Sequence, residues 1–419
     1  MSALRRGRTL LAALVLVMAA ALAGAGPASA AQDCPDSAVA PSAIVLEVST
    51  GTVACERDAD SQRSIASLTK LMTALITLER ADLDATMPAA RYFPAAIESK
   101  IGLTPGERMR VDDLLRGLLA ESANDAAVTL AQGVAGSRRA FVRAMNERAA
   151  ELGLDGTHYA NPVGLDEAGN HSTARDLARL AVMLRTHPFA RRTVDSPSVT
   201  LRSGARVRTF ASRNLLVRRI AWVNGVKTGH TRQAGYVLVG SGRREGKQLV
   251  SVVLGTPSVA ARDAATESLL QWGFKQFQRI RAVQEGTEMA RVPIRHRGGA
   301  ALALVAGRTV RRVVPRGRRG DVTTRLAEVP DEVAGPIPAG RRLGTVEVLQ
   351  GGRRVARVPL LAAASVPEAG LAQRTKSWFT GPLAIVVLFA VLGGTVLAGR
   401  RLRRGLRPSG RPGEEARAA

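Results

Sequence analysis

The hydrophobic and polar pattern divides the chain before any motif is sought. An unbroken apolar stretch from about Leu10 to Leu22 follows Arg5, Arg6 and Arg8 and precedes Pro27 and the triplet Ala28-Ser29-Ala30. That order is a secretory leader, with cleavage expected after Ala30. Two β-prone runs, 43–48 and 52–56, flank Ser49-Thr50-Gly51 and predict a hairpin. From Ala66 to about Arg80, Leu68, Leu71, Met72, Leu75, Ile76 and Leu78 cover most of the circumference, which predicts a helix buried on nearly all sides. Further helices are expected over 111–120, 125–134, 140–152 and 174–186, with Thr173 and Asp176 at capping-box spacing before the last. After about Arg202 the runs "WVNGVKTGHT", "GYVLVGSG" and "QLVSVVLGT" predict consecutive antiparallel strands, and a helix over 260–277 closes the domain. Strands flanked by helices grouped at both ends of the sequence indicate an α+β domain with an antiparallel sheet.

Helical periodicity stops beyond this point. Over 282–361 the runs "MARVPI", "ALALVA", "TVRRVVP" and "GTVEVLQ" alternate with Gly and Pro breaks, as in a small all-β domain. A linker, 362–377, leads to the uncharged apolar segment 378–398, long enough for a C-terminal transmembrane helix. Arg400, Arg401, Arg403, Arg404 and Arg407 follow it, so the basic tail 399–419 is expected in the cytoplasm. The expected layout is therefore a leader (1–30), a main domain (31–281), the β-rich domain, the linker, the anchor and the tail. The body stands at the extracytoplasmic face of the membrane.

Composition adds four constraints. The 419 residues carry a formal charge of +25, which suits association with anionic wall or membrane polymers as well as an arginine-favouring genome. Scarce aromatics, 3% of the chain, and the extracellular address argue against nucleic acid. The two cysteines of this exported chain, Cys34 and Cys55, predict one disulfide. Asp33 in front of Cys34 excludes a lipoprotein signal, and five scattered histidines offer no metal-ligand spacing, so no metal or cofactor is implied. His158 and His171 read as structural loop residues.

Lysine is rare here, six residues against 54 arginines, yet Lys70 sits in the apolar helix three residues after Ser67. Positions i and i+3 share a helix face, so the amine can reach the hydroxyl. Burial, and a second cation from Lys227 nearby, would lower the pKa of Lys70 and make it a general base for a serine nucleophile. Two further motifs follow in order. In Ser122-Ala123-Asn124, between two expected helices, Ser122 can relay a proton and the Asn124 amide can hold a carbonyl, or both can simply cap a helix. In Lys227-Thr228-Gly229, on an expected strand, the lysine and hydroxyl can receive a carboxylate, and the glycine leaves room for a peptide alongside.

With these three motifs, the stretches "SKIGLTPGERMRVDDLLRGLL", "ELGLDGTHYANPVGLDEAGNHSTARDLARLA", "SRNLL", "KTGHTRQAGYVLV" and "LLQWGF" make the region from about Ala40 to Phe277 resemble the low-molecular-mass penicillin-binding proteins that are serine-type D-alanyl-D-alanine carboxypeptidases. The resemblance implies the penicillin-recognising serine DD-peptidase/β-lactamase-like fold, followed by a β-domain and a C-terminal membrane segment. It implies a hydrolase of cell-wall peptidoglycan whose substrate is a stem peptide ending in D-Ala-D-Ala, with β-lactam antibiotics as covalent inhibitors. Ser67 would attack the carbonyl between the two D-alanines with Lys70 as base. The backbone amides of Ser67 and His230 would form the oxyanion hole. Ser122 and Asn124 would assist, and Lys227 and Thr228 would receive the terminal carboxylate. Arg213, in "SRNLL", matches a family arginine near that carboxylate, or makes a sheet-end salt bridge.

Two departures from the family pattern stand out: Ala123 replaces a common glycine, and Val163 a frequent histidine. A class A β-lactamase would need a deacylating glutamate in Glu-x-x-Leu-Asn, whereas residues 151–155 read Glu-Leu-Gly-Leu-Asp. A membrane-tethered wall-binding scaffold with vestigial catalytic residues is the non-enzymatic alternative.

Overall fold

The computed structural model describes residues 32–371, 373 and 382–405. The expected leader, the start of the expected membrane segment and most of the basic tail lie outside them. The chain divides after Arg279 into two compact units.

The first unit is built on a six-stranded sheet, in the order Gln32–Asp33, Val53–Arg57, Ser42–Glu47, Lys247–Thr256, Gly235–Arg244 and Val223–Thr231. Only the pair at the N-terminal edge is parallel; there Gln32 and Asp33 lie beside Cys55 and Glu56, and Cys34 is disulfide-bonded to Cys55. Every residue of Ser42–Glu47 is buried, because side chains alternate between two covered faces. Ile44, Leu46, Val250 and Val252 point into the main helical core. Val45 and Leu249 instead meet Gly273 of the helix Val259–Gln276. Covered on both sides, these strands read as continuous apolar runs.

The helix Lys70–Arg80 runs through that core, buried from Lys70 to Thr77. Its all-round apolar pattern follows from contacts with the helices Asn124–Ala135, Arg138–Glu151 and Ala174–Thr186. Thr173 caps the last of these, its Oγ1 accepting from the Asp176 amide at 3.1 Å. The helix expected over 111–120 departs from a regular course: Val111–Arg116 is α-helical, and Gly117–Glu121 widens into a π-helical turn that stops at Ser122, φ 67°. At the other end of the unit, the last helix ends at Gln276, and Phe277 already begins a strand. The short helices Pro188–Asp195 and Leu215–Arg219, and the two-stranded pairs Thr86–Pro88 with Arg108–Arg110 and Ser198–Leu201 with Arg208–Ala211, are too brief to show a period in sequence.

The second unit contains a five-stranded sheet, ordered Glu288–Pro293, Ala301–Ala306, Arg353–Ala362, Arg342–Gln350 and Val322–Ala327. Leu302, Leu304, Val346, Val348, Val358 and Leu360 form its core. Of the expected transmembrane segment, the part described belongs to the helix Pro382–Gly405, on which Val386, Phe389 and Leu397 are exposed. Among the described residues, no helix is long and apolar enough to cross a membrane.

Candidate active site

Ser67 lies in a single 3-10 turn, Ala66–Thr69, at the head of the Lys70–Arg80 helix. Leu68, Leu71, Met72, Leu75 and Ile76 are inaccessible to solvent, which anchors the turn from below. Lys70 is inaccessible as well. Its Nζ lies 2.9 Å from Ser67 Oγ and donates to the Val163 carbonyl at 2.5 Å. A carbonyl can only accept, so one N–H is committed to Val163, and an unprotonated amine has its lone pair left for the Ser67 hydroxyl. Burial pushes the Lys70 amine well below its ordinary range, and the Lys227 charge adds to this; Glu98 and Asp125 oppose it.

Two residues outside the motifs build the Val163 contact. Asn161 Oδ1 accepts from the amides of Val163 and Gly164, at 3.2 and 2.7 Å, and so folds the loop back on itself. Gly164 has φ +84°, and a Cβ there would lie 2.0 Å from the Ala66 carbonyl oxygen. Only glycine lets this loop touch the turn that carries Ser67. Because the group that meets Lys70 is a backbone carbonyl, the valine in place of histidine at 163 leaves this bond intact. Sequence reading missed Asn161 and Gly164; the signal available was the Asx-turn pattern Asn-Pro-Val-Gly.

The second motif follows the π-helical turn. Ser122 takes the left-handed conformation, whereas Ala123 has φ −63°, which alanine adopts freely, so its replacement of glycine carries no backbone cost. Asn124 opens the helix Asn124–Ala135, and its Nδ2 donates to Glu98 Oε2 at 2.6 Å.

The third motif lies on Val223–Thr231, the edge strand opposite Gln32–Asp33, which packs on the Ala66–Thr69 turn. A Cβ on Gly229 would lie 3.0 Å from the Ser67 amide nitrogen and 2.9 Å from Val237 Cγ2. Contact with the turn that carries Ser67 therefore requires this glycine, whatever room it leaves for a peptide. Lys227, 1% exposed, donates to the Thr228 carbonyl at 2.8 Å. Burial lowers its pKa to about 7, helped by Arg213 and Arg262 and opposed by Glu121. Arg262 is a further residue that sequence reading missed. It is buried on the Val259–Gln276 helix and bonded to Asp263, in a stretch without a distinguishing motif. Arg213 pairs with Glu121, and its amide donates to the Ala120 carbonyl, next to the second motif.

A cleft of about 1180 Å³ opens over this centre. Of the expected site residues, Ser67, Asn124 and His230 line it, while Lys70, Ser122, Lys227 and Thr228 are buried and do not. Arg213 also lies off the lining. The His230 ring stacks on Tyr236, with centroids 4.0 Å apart. Asp166, on the lining, accepts from Thr231 Oγ1 and the Gln233 amide, at 2.6 and 3.2 Å. His158 and His171 exchange backbone hydrogen bonds, and among the described residues no group of His, Cys, Asp and Glu could hold a metal ion.

A serine at a helix head, a buried amine in contact with it and a second buried lysine on the adjoining strand form an arrangement with the chemistry for acyl transfer, carried on a penicillin-binding fold. The chain belongs to the D-alanyl-D-alanine carboxypeptidase family, whose profile matches residues 28–258; residues 277–368 match the penicillin-binding protein 5 C-terminal domain. It is 32% identical over 343 residues to D-alanyl-D-alanine carboxypeptidase DacA of Escherichia coli strain K12, covering 78% of this chain and 84% of that one. Among solved structures, penicillin binding protein 5 from Haemophilus influenzae superposes with a TM-score of 0.56 at 28% identity, over 78% of this chain and 98% of that chain. A Streptomyces K15 DD-transpeptidase variant superposes at 0.54 with 31% identity, over 56% and 98%. The activity of the chain is that of a serine-type D-alanyl-D-alanine carboxypeptidase.

Proposed function

We propose that Ser67 is the nucleophile and Lys70 the general base in removing the terminal D-alanine from peptidoglycan stem peptides. The observation that carries this assignment is the Lys70 amine, buried, bonded to Val163 and 2.9 Å from Ser67 Oγ. Ser67 Oγ attacks the carbonyl carbon between the two D-alanines as its proton passes to Lys70 Nζ. The backbone amides of Ser67 and His230 stabilise the oxyanion. Collapse breaks the C–N bond, and the leaving amine takes a proton through the Ser122 hydroxyl. Water then cleaves the ester and restores Ser67. Asn124 holds the substrate carbonyl. Thr228, together with the positive field of Lys227 and Arg213, favours the terminal carboxylate.

A β-lactam ring offers the same carbonyl and leaves a long-lived adduct. Glu151, the residue closest in pattern to a β-lactamase glutamate, is largely exposed, pairs with Arg148 and does not line the cleft. This favours slow deacylation. Intact mass after incubation with benzylpenicillin tests the assignment: one adduct is expected on the wild type and none on Ser67→Ala. Absence of the wild-type adduct, with no release of D-alanine from a D-Ala-D-Ala peptide, would support the scaffold reading instead.

The same reading places the enzyme outside the cell, exported by residues 1–30 and tethered by 378–398. Its support is the uncharged run 378–398 and the arginines that follow it. Deleting residues 378–419 should move the protein from the membrane to the soluble fraction; retention at the membrane would refute the tether.

A further inference from the structure

Glu98 lies outside all three motifs, yet it lines the cleft and is bonded to one of their side chains. Its Oε1 accepts from the Ala95 amide at 2.9 Å, and its Oε2 accepts from Tyr92 Oη and from Asn124 Nδ2. The backbone N–H of Asn124 donates to the Ser99 carbonyl at 2.8 Å. Asp125 accepts from the amides of Ile101, Gly102 and Leu103. The segment 98–103 is thus latched to the first two residues of the Asn124–Ala135 helix.

We propose that Glu98 is a positioning residue of the catalytic centre, which orients the Asn124 amide and presents a fixed anion to the Ser67–Lys70 pair. This rests on the roles assigned above to Ser67 and Lys70. An ionised carboxylate only accepts, so the amide must turn Nδ2 toward Glu98; the opposite rotamer would set two acceptors 2.6 Å apart. One N–H is then held by Glu98, which leaves the other for a substrate carbonyl. Burial alone would raise the Glu98 carboxyl, but the bonds from Tyr92, Asn124 and Ala95, with the charge of Lys70, hold it below the usual carboxylate range.

The charged groups acting on Lys70 come from three elements: Lys227 on the edge strand, Asp125 on the Asn124–Ala135 helix and Glu98 on the cleft segment. The first favours the neutral amine; the two anions favour the protonated one. Asp125 is engaged by four backbone amides, those of Ile101, Gly102, Leu103 and Ala126, whereas Glu98 stands at the cleft. Removing the Glu98 charge therefore lowers the pH at which Lys70 becomes a base.

The test is the second-order rate constant for benzylpenicillin acylation as a function of pH, read by intact mass. The wild type must form the adduct and Ser67→Ala must not; if that control fails, the assignment of the nucleophile fails and not this inference. Glu98→Gln is expected to move the acid limb to lower pH. It should also reduce the plateau on the order of fivefold, the difference between a charged and a neutral partner for Asn124. Tyr92→Phe loosens the same segment but keeps the charge, so its limb should stay at the wild-type position. A Glu98→Gln limb that coincides with wild type or moves to higher pH overturns the proposal, as does an equal displacement in Tyr92→Phe. If Glu98→Gln does not fold, Glu98→Asp retains the charge and withdraws it from Asn124. Its plateau should fall with the limb in place, and a limb moved to lower pH would refute the electrostatic role.

Discussion

Replacing Gly164 by alanine should disable the catalytic centre without touching a motif residue. At φ +84° an alanine is strained by about 1–3 kcal/mol. The new methyl would also lie 2.0 Å from the Ala66 carbonyl oxygen and 2.5 Å from its carbon, where real Cβ contacts below 3.0 Å are essentially never found. The obstacle is backbone, so the Asn161–Leu165 loop and the nucleophile turn must separate by about 1 Å, the minimum that clears this limit. That displacement falls on the bond between the Val163 carbonyl and Lys70 Nζ. A misplacement of this size costs on the order of 100-fold in rate. Strain and an overpacking cost of about 1–3 kcal/mol together should destabilise the first unit by about 2–6 kcal/mol, a melting shift of roughly 4–24 °C for a domain of this size. Penicillin acylation followed by mass, with calorimetry on the same sample, measures both. Acylation within threefold of wild type at an unchanged melting temperature would show that the loop does not position Lys70, and the argument would be refuted.

Lys227 gives a prediction about stability and pH. Its folded pKa of about 7 lies below its ordinary 10.5, so between these values the unfolded state holds a proton that the native state lacks. Stability from this group therefore rises with pH across that window, by up to about 1.4 kcal/mol per pH unit, and is lost as pH falls toward 7. Lys227→Met should flatten the dependence of the urea midpoint on pH between 7 and 10; an unchanged slope would refute the shift. Because Lys227 also disfavours protonated Lys70, any residual acylation by Lys227→Met should show its acid limb at higher pH, opposite in sign to Glu98→Gln. Removing the disulfide with Cys34→Ser and Cys55→Ser opens a link between residues 21 apart, which should cost about 3 kcal/mol in thermal or urea unfolding. Acylation per folded molecule should stay at the wild-type rate, and a matching loss of rate would tie that edge of the sheet to the site.

The helix at 70–80, the strands carrying the Lys-Thr-Gly motif and the change to an all-β second unit could each be read in sequence, because their periods extend over several residues. The three motifs could be read because their order and setting are specific. Elements such as 188–195 and 215–219 escaped, since one or two turns do not establish a period. The π-helical turn at 117–121 escaped for a different reason: its apolar residues suit a regular helix equally well, and its course depends on where Ser122 and Asn124 must be held.

Residue types and spacing alone determined that an amine could reach a hydroxyl across one helical turn, since positions 67 and 70 share a face under any packing. Tertiary structure alone decided what that amine would be. Its protonation depends on burial, on Lys227 brought in from a strand more than a hundred residues away, on the Val163 carbonyl carried by a loop closed at Gly164, and on Glu98 latched to Asn124. Such groups are distant in sequence and meet only in the folded chain, and the electrostatic environment of a buried charge is a property of what surrounds it in space.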